Sequence, residues 1–194
     1  MLYRIASIAA LSMLAVLPAI SAAQTGSDPW EIWKQPGVHA IMRHATAPGY
    51  GDPDGFTLGQ CSTQRDLNKT GREEARSLGN AIRSKGIKLT AVYSSQWCRC
   101  LHTAKELNLG KAQELPALNS FFQGRGSSAE QTAALKEHLA TLNPDDKVLY
   151  VSHQVNTTAL TGIYPNSGEV VLFKFSPKGQ VTVLGRVQAE KTSK

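Results

Sequence analysis

The chain is organised around the stretch VHAIMRHATAPG, residues 38–49. A short apolar run ends here in Arg43 and His44 and passes directly into a loop rich in proline and glycine. This pattern predicts a buried strand that carries two polar side chains to its carboxyl end. Ligands of open α/β sheets bind at the carboxyl ends of the strands, so Arg43 and His44 are candidates for anion binding and for nucleophilic or acid/base chemistry.

Two later segments repeat this arrangement of an apolar strand followed by polar residues. Residues 88–95 predict a strand that ends in two serines, with Arg99 in the first turn of the helix that follows. A cation there opposes the helix dipole, so we expect Arg99 to serve a ligand or a partner. Residues 147–153 predict a further strand, which ends in a serine and His153. The sequence therefore predicts that two arginines and two histidines meet at one edge of a sheet.

Helical segments separate these strands, which implies a largely parallel sheet with helices on both faces. We predict one three-layer α/β/α domain over residues 38–190, with a mostly parallel central sheet and a C-terminal antiparallel hairpin at its edge. Residues 24–37 are expected to form a lead-in segment whose tryptophans pack on the domain. The main predicted elements after the first strand are helices over residues 68–85 and 97–107, a helix that ends at Thr161, and hairpin strands over residues 169–175 and 180–187.

The length and the N-terminus limit the class of protein. The 194 residues are 41% hydrophobic, which is enough for one domain with a substantial core. Residues 1–23 have a positive start, an uncharged apolar middle and a small-residue exit, as secretory signal peptides do. We expect cleavage after Ala23 and a periplasmic or secreted location. A membrane anchor is the alternative, but the apolar run is short for a span of about 20 residues. No stable membrane span is expected after cleavage.

The charge pattern favours a small anionic substrate. The formal net charge is +6, and removal of residues 1–23 takes away Arg4 and no acid, which leaves +5. The basic residues are scattered, so the pattern does not predict nucleic-acid binding, and it gives no indication of a partner protein. No acidic cluster or HExxH-type pair is present, so no metal and no cofactor is predicted.

The chain has three cysteines, and an oxidising compartment favours pairing of two of them. Only Cys61 is distant enough in sequence to close a large loop, so it is expected to pair with Cys98 or with Cys100. The Cys98-x-Cys100 spacing does not fit a thioredoxin-type redox pair.

Four motifs occur in an order that matches a known family. The segments are RHA at residues 43–45, LNKTGREEA at 67–75, SSQWCRCLHTA at 94–104 and SHQ at 152–154. They are similar to the Arg-His-Gly, Leu-Thr-x-x-Gly-x-x-Gln-Ala, Ser-Ser-Pro-x-x-Arg-x-x-x-Thr-Ala and Ser-His-Gly motifs of the histidine phosphatase superfamily. This broad group is phosphoglycerate-mutase-like and acid-phosphatase-like. The resemblance covers about residues 38–162.

The resemblance implies a role for each matching residue. His44 would be the nucleophile that forms a phosphohistidine, and Arg43, Arg99 and His153 would bind the phosphoryl oxygens in the transition state. Because His44 must be unprotonated to attack and His153 helps most as a donor, a bell-shaped pH dependence is expected. Gln64 and Arg65, which follow Cys61, either contact the substrate or have a surface role.

The chain also departs from the family pattern. Ala45 and Gln154 stand where the motifs have glycine. In the mutase-like branch a glutamate acts as general acid near residues 118–120, where this chain has no acid. The remaining candidates for the general acid are Asp52 and Asp54 in the loop after His44. If the leaving group is good, no acid is needed.

These observations predict an exported, metal-independent phosphatase that hydrolyses phosphomonoesters through a phosphohistidine intermediate. Two alternatives remain open. One is a phosphate-binding or sensing module without turnover, which the missing acid favours. The other is a phosphotransferase or mutase of the same fold.

Overall fold

The computed structural model describes residues 28–188 of the chain. The predicted signal peptide and its cleavage point lie outside these residues. The helices are α1 (Pro29–Lys34), α2 (Lys69–Ser84), α3 (Cys98–Leu107), α4 (Ser128–Ala140) and α5 (Gln154–Thr161), and the strands are β1 (His39–Arg43), β2 (Ala91–Ser94), β3 (Ala112–Glu114), β4 (Val148–Ser152), β5 (Val170–Phe175) and β6 (Val181–Val187). None of the helices in this part of the chain is long and apolar enough to cross a membrane.

The six strands form one sheet in the order β3-β2-β4-β1-β5-β6. The first four in this order run parallel, whereas β5 and β6 pair antiparallel at the edge. The predicted fold class, a mostly parallel α/β sheet with a C-terminal hairpin at its edge, is confirmed. The strand β2 is shorter than predicted, because its pairing with β4 begins only at Ala91 opposite Val148.

Helices cover both faces of the sheet, as the near-continuous apolar strands require. Helices α1, α2 and α3 contribute Trp33, Leu78, Ile82 and Leu107 to the apolar cluster on one face. Helices α4 and α5 contribute residues such as Leu135 to the cluster on the other. The strands β1 and β4 lie between these clusters and are almost entirely buried. Packing on both faces of the sheet therefore fixes the position of the carboxyl ends of β1 and β4.

The helix α2 follows its sequence pattern closely. The side chain of Asn68 accepts a hydrogen bond from the backbone N–H of Gly71, which caps the helix at its predicted start. Ala75, Leu78 and Ile82 form its buried stripe, as the apolar spacing predicts. Gly79 lies on the same buried side, where α2 crosses α3 at close range. A Cβ atom at Gly79 would lie 2.0 Å from the backbone oxygen of Leu107.

This close approach predicts that Gly79→Ala destabilises the protein by about 2 kcal/mol. Alanine gains up to about 1 kcal/mol in helix propensity over glycine, but a methyl group pressed against a backbone oxygen costs more, because the two helices must move apart. Urea unfolding followed by circular dichroism measures the difference. Glu73→Ala, on the exposed side of α2, is the control and should change the free energy of unfolding by less than about 0.5 kcal/mol. A Gly79→Ala variant as stable as the wild type would contradict the close helix crossing.

Candidate active site

The ends of three parallel strands bring the predicted polar residues together. Arg43 is the last residue of β1 and lies in register with Ser152 of β4. The backbone N–H of His44 donates to the carbonyl oxygen of Ser152 at 2.9 Å, and that of Ser95 donates to the carbonyl of Val151 at 2.9 Å. These hydrogen bonds extend the sheet one residue beyond its strands. They fix the histidine after β1 and the serine after β2 against β4.

His44 has a defined tautomer. Its Nδ1 lies 2.8 Å from the carbonyl oxygen of Ala45, which only accepts hydrogen bonds, so Nδ1 carries the proton. The Nε2 atom is then unprotonated and accepts from Nε–H of Arg99 at 3.2 Å. The backbone N–H of Ala45 donates in turn to the hydroxyl of Thr103 at 3.1 Å. His44 is 3% exposed and therefore presents an oriented lone pair in a nearly dry setting.

Arg99 contacts three side chains of the site at once. Besides His44, its Nη2 lies 3.4 Å from Nδ1 of His153, and its Nη1 and Nη2 donate to the carboxylate of Asp52 at 2.6 and 3.2 Å. The side chains of Arg99 and Asp52 are each 4% exposed. This contact explains why a cation stands in the first turn of α3: Arg99 serves the site rather than the helix.

His153 directly precedes α5 and is held by the serine after β2. Its Nε2 lies 2.9 Å from the hydroxyl of Ser95, which donates its own proton to Oδ1 of Asn119 at 3.2 Å. Ser95 therefore accepts from His153, so Nε2 carries the proton and Nδ1 faces Arg99 as an acceptor. The thiol of Cys100 lies 3.5 Å from the same Nε2. Burial raises the pKa of this thiol to about 12, so it stays neutral.

Burial keeps both site histidines neutral. It is the largest cause that lowers the pKa of His44 and of His153 well below the usual value, and the positive charge of Arg99 adds to the effect. The two rings lie edge to face with their centroids 5.5 Å apart. In this state His44 has the protonation that a nucleophile needs.

The two candidates for the general acid differ in position. Burial alone would raise the pKa of Asp52, but hydrogen bonds from Arg99 and from Nε1 of Trp97 outweigh it, and the pKa lies below its ordinary value. Asp52 is thus ionised while it pairs with Arg99, and its assignment as the general acid stays a prediction. Asp54 is exposed and does not line the cavity described below.

Gln64 and Arg65 make different contacts, although they are neighbours in the chain. Both ends of the Gln64 amide bind backbone: Nε2 donates to the carbonyl of Thr57 at 3.0 Å, and Oε1 accepts from N–H of Cys98 at 2.9 Å. Gln64 therefore supports the start of α3, with both ends of its amide occupied by backbone, and it is not part of the cavity lining. Arg65 donates to the carbonyl oxygens of Ala47 and Gly51 and also lines the cavity.

The disulfide joins Cys61 to Cys98, which decides between the two pairings that the sequence left open. Cys100 is a free, buried thiol. Residues two apart on a helix point in different directions, so only one of the two α3 cysteines faces the loop that contains Cys61. The disulfide ties the end of this loop to the first residue of α3, next to Arg99.

A cavity of about 250 Å³ lies beside these side chains, and its lining does not include His44. Three arginines and one histidine of the predicted site line it, and no acid of the described residues does. The lining is Arg43, Gly49, Tyr50, Gly51, Arg65, Arg99, Ser120, Phe122, His153, Gln154, Val155 and Tyr164. A larger cavity of about 640 Å³ lies beside His39, at the opposite end of β1, and has no arginine in its lining. Within residues 28–188, no three histidine, cysteine or acidic side chains converge in a way that would hold a metal ion.

The roles of several residues were not found from the sequence. Ser95 was placed at a strand end, but its hydrogen bonds to His153 and Asn119, like that of Trp97 to Asp52, join distant segments and leave no periodic signal. The sequence did offer a signal for Tyr50, since it stands between two glycines in a long loop that follows the predicted nucleophile.

The two neutral histidines make stability dependent on pH. Their pKa values are lowered in the folded state, so below about pH 6.5 the unfolded chain binds protons that the folded chain does not. We expect the free energy of unfolding, measured with urea, to fall as the pH is lowered from 7 to 5, a window above the range where carboxylates titrate. His39 and His138 add to this slope with the same sign, because burial lowers their pKa values too. The double variant His44→Asn, His153→Asn should show a smaller slope. A stability that rises over this interval would mean that the histidines are charged in the fold.

Comparisons with known proteins agree with the fold of this chain. The family model described as Histidine phosphatase superfamily (branch 1) matches residues 40–126. No curated protein sequence is significantly similar to the chain. Among solved structures, the chain is similar to the protein histidine phosphatase SixA complexed with tungstate, at 21% identity and a TM-score of 0.61, covering 78% of this chain and 97% of SixA.

Two further structures share the fold. YhfR of Bacillus stearothermophilus has 17% identity and a TM-score of 0.57, with 75% of this chain and 94% of YhfR covered. Phosphoserine phosphatase of Entamoeba histolytica, in complex with 3-phosphoglyceric acid, has 16% identity and a TM-score of 0.53, with 77% and 95% covered. The family match over residues 40–126 and the shared fold confirm the resemblance of this chain to the histidine phosphatase superfamily that its motifs predicted.

Proposed function

We propose that the protein is an exported phosphatase that hydrolyses small phosphomonoesters through a phosphohistidine at His44, without a metal ion. The single observation that carries the proposal is the state of His44. Its Nδ1–H is fixed to the carbonyl of Ala45, so that an unprotonated Nε2 accepts from Arg99, which is one of three arginines that line the cavity. A neutral, oriented imidazole among cations suits attack on an anionic phosphoryl group.

The proposed reaction has two displacements. In the first, Nε2 of His44 forms a bond to phosphorus as the bond from phosphorus to the ester oxygen breaks, and the alcohol leaves as its anion. In the second, water forms a bond to phosphorus as the P–N bond breaks, which releases phosphate and restores His44. The proton that the water loses balances the one that the departed anion takes up from solvent. The arginines supply the positive charge that stabilises the phosphoryl oxygens in both steps. Their guanidinium groups form charge-assisted, often bidentate hydrogen bonds with such oxygens.

The leaving group receives no proton from a carboxylic acid in this proposal. The nearest acid, Asp52, is ionised and bound to Arg99, and no acid among the described residues lines the cavity. A substrate whose alcohol leaves readily as an anion is therefore favoured. This absence is also the observation that supports the alternative, a binding module without turnover.

Two features support export. The first is the predicted signal peptide. The second is the Cys61–Cys98 disulfide, since structural disulfides persist in oxidising compartments.

Hydrolysis of 4-nitrophenyl phosphate in the presence of EDTA tests the reaction. We expect turnover in EDTA, and a loss of about 10³-fold or more in kcat for His44→Ala, because the group that forms the covalent bond is removed. His102→Ala is the matched control, since His102 binds Asp66 outside the cavity. Rapid quenching with labelled substrate should trap an acid-labile phosphate on the wild type only. Wild-type protein that binds inorganic phosphate but releases none from this ester would support the binding module instead.

The role of Asp52 is tested with two esters of different leaving ability. If Asp52 only pairs with Arg99, Asp52→Asn should change kcat/KM by the same factor for 4-nitrophenyl phosphate and for phenyl phosphate. It should also strengthen inhibition by inorganic phosphate by up to about tenfold, because phosphate no longer competes with a carboxylate for Arg99. The control is Asp54→Asn, an exposed acid of the same loop. A loss confined mainly to phenyl phosphate would show that Asp52 is the general acid after all.

A further inference from the structure

Aromatic side chains are concentrated at the mouth of the arginine-lined cavity. Among residues 28–188, the exposed large apolar side chains are Tyr50, Leu58 and Tyr164, at 83%, 42% and 67% exposure. Both tyrosines line the cavity, and Phe122 lines it as well. Large aromatic side chains gain stability from burial, so two of them left in water at one opening point to a surface that binds something. Tyr50, Phe122 and Tyr164 are called the aromatic rim below.

Local structure holds Tyr50 in place. The glycines on either side of it, Gly49 and Gly51, have φ values of +95° and +65°, a backbone conformation that other residues rarely adopt. Nε of Arg65 donates to the carbonyl oxygen of Gly51 at 2.8 Å. The ring of Tyr50 packs edge to face on Phe122, with the centroids 5.2 Å apart. Tyr50 is thus fixed by the same arginine that lines the cavity.

Tyr164 reaches the cavity from another part of the chain, the segment after α5. The carbonyl oxygen of the next residue, Pro165, accepts from Nη1 of Arg43 at 3.4 Å. The carbonyl of Tyr164 itself accepts from Arg186 at 3.4 Å. Each exposed tyrosine of the rim is therefore adjacent to backbone that one of the cavity arginines binds. The hydrogen bonds of Arg43 and Arg65 therefore place the positive charge of the cavity next to the two exposed tyrosine rings.

The size of the cavity limits what the rim can hold. Pockets for drug-sized ligands have volumes of about 300–1,000 Å³, and this cavity has about 250 Å³. It accommodates a phosphoryl group and the group bonded directly to it, with anything larger extending into solvent. Fixed aromatic faces favour a flat or cyclic partner over a flexible chain, because a ring offers apolar area and loses little conformational freedom.

We propose that the aromatic rim selects phosphomonoesters whose phosphate is bonded to a ring, with the phosphate on the arginines and a face of the ring on Tyr50 and Tyr164. This inference rests on the proposed function, since it names the substrate class of the same site. The ring is either aromatic or saturated, as in a sugar. The shared requirement is an apolar ring face one bond from the phosphate oxygen.

Phosphonates test the rim separately from turnover, because their C–P bond is not broken by ester hydrolysis. Isothermal titration calorimetry of the purified chain would compare methylphosphonate, n-hexylphosphonate, benzylphosphonate and cyclohexylmethylphosphonate, in which a methylene group replaces the ester oxygen and keeps the ring one atom from phosphorus. We expect the preferred ring phosphonate to bind about tenfold more tightly than the n-hexyl compound. The benzyl and cyclohexylmethyl compounds separate an aromatic ring from a saturated one. Methylphosphonate reports the arginine site alone.

The variant for this test is Tyr50→Ala, Tyr164→Ala, which changes two exposed side chains. It should lose about 10-fold in affinity for the ring phosphonates and keep its affinity for methylphosphonate within about twofold. Leu58→Ala, at the third exposed apolar side chain, lies outside the cavity lining and should change neither. Ring and n-hexyl phosphonates that bind equally, or a tyrosine variant that binds all compounds like the wild type, would overturn the proposed selection while the phosphate site stands. Failure of every phosphonate and of inorganic phosphate to bind would overturn the proposed function and the ring selection together.

Discussion

The site depends on the hydrogen bonds that the guanidinium group of Arg99 makes. It is almost fully buried and touches His44, His153 and Asp52, which come from three separate segments of the chain. A buried cation is costly unless it is paired and hydrogen-bonded, so an anion has to accompany it. In the structure that anion is Asp52. During the proposed reaction a phosphoryl group needs the same donors, so the loop that carries Asp52 and the substrate compete for one charge.

The helix that carries Arg99 needs support at its first turn, because a cation there opposes the helix dipole. Trp97 precedes the helix without a side-chain cap. Gln64 supplies the missing acceptor for the N–H of Cys98, and the disulfide joins the same cysteine to Cys61. Gln64, for which the sequence left a substrate contact or a surface role open, thus helps to hold the backbone from which Arg99 projects. Nearness in sequence to a catalytic motif is thus compatible with a purely supporting contact.

The part of the site that the sequence predicted is the part that strand geometry dictates. Arg43, His44 and His153 follow strands that run parallel, and parallel strands bring their ends to one edge. The helix α2 was equally accessible, since a cap at Asn68 and an apolar stripe mark it. The ion pair of Asp52 was not predicted, because nothing in a run of glycines and prolines indicates that its carboxylate reaches Arg99, 47 residues further along the chain. The partner of Cys61 stayed open because Cys98 and Cys100 are nearly equivalent in sequence and differ only in the direction they face on α3.

The two site histidines carry their protons on different ring nitrogens, and this difference decides what each can do in the proposed reaction. His44 has its proton on Nδ1 and its lone pair toward Arg99, which is the state that attack requires. His153 has its proton on Nε2, bound to Ser95, so its Nδ1 faces Arg99 as an acceptor. In the proposed reaction an anionic phosphoryl group raises the pKa of both nearby imidazoles, because opposite charge favours the protonated form. That change suits His153, which has to donate, and opposes His44, which has to keep its lone pair. The Nε–H of Arg99 beside Nε2 of His44 favours the neutral form there, so the same arginine that binds the substrate also keeps the nucleophile unprotonated.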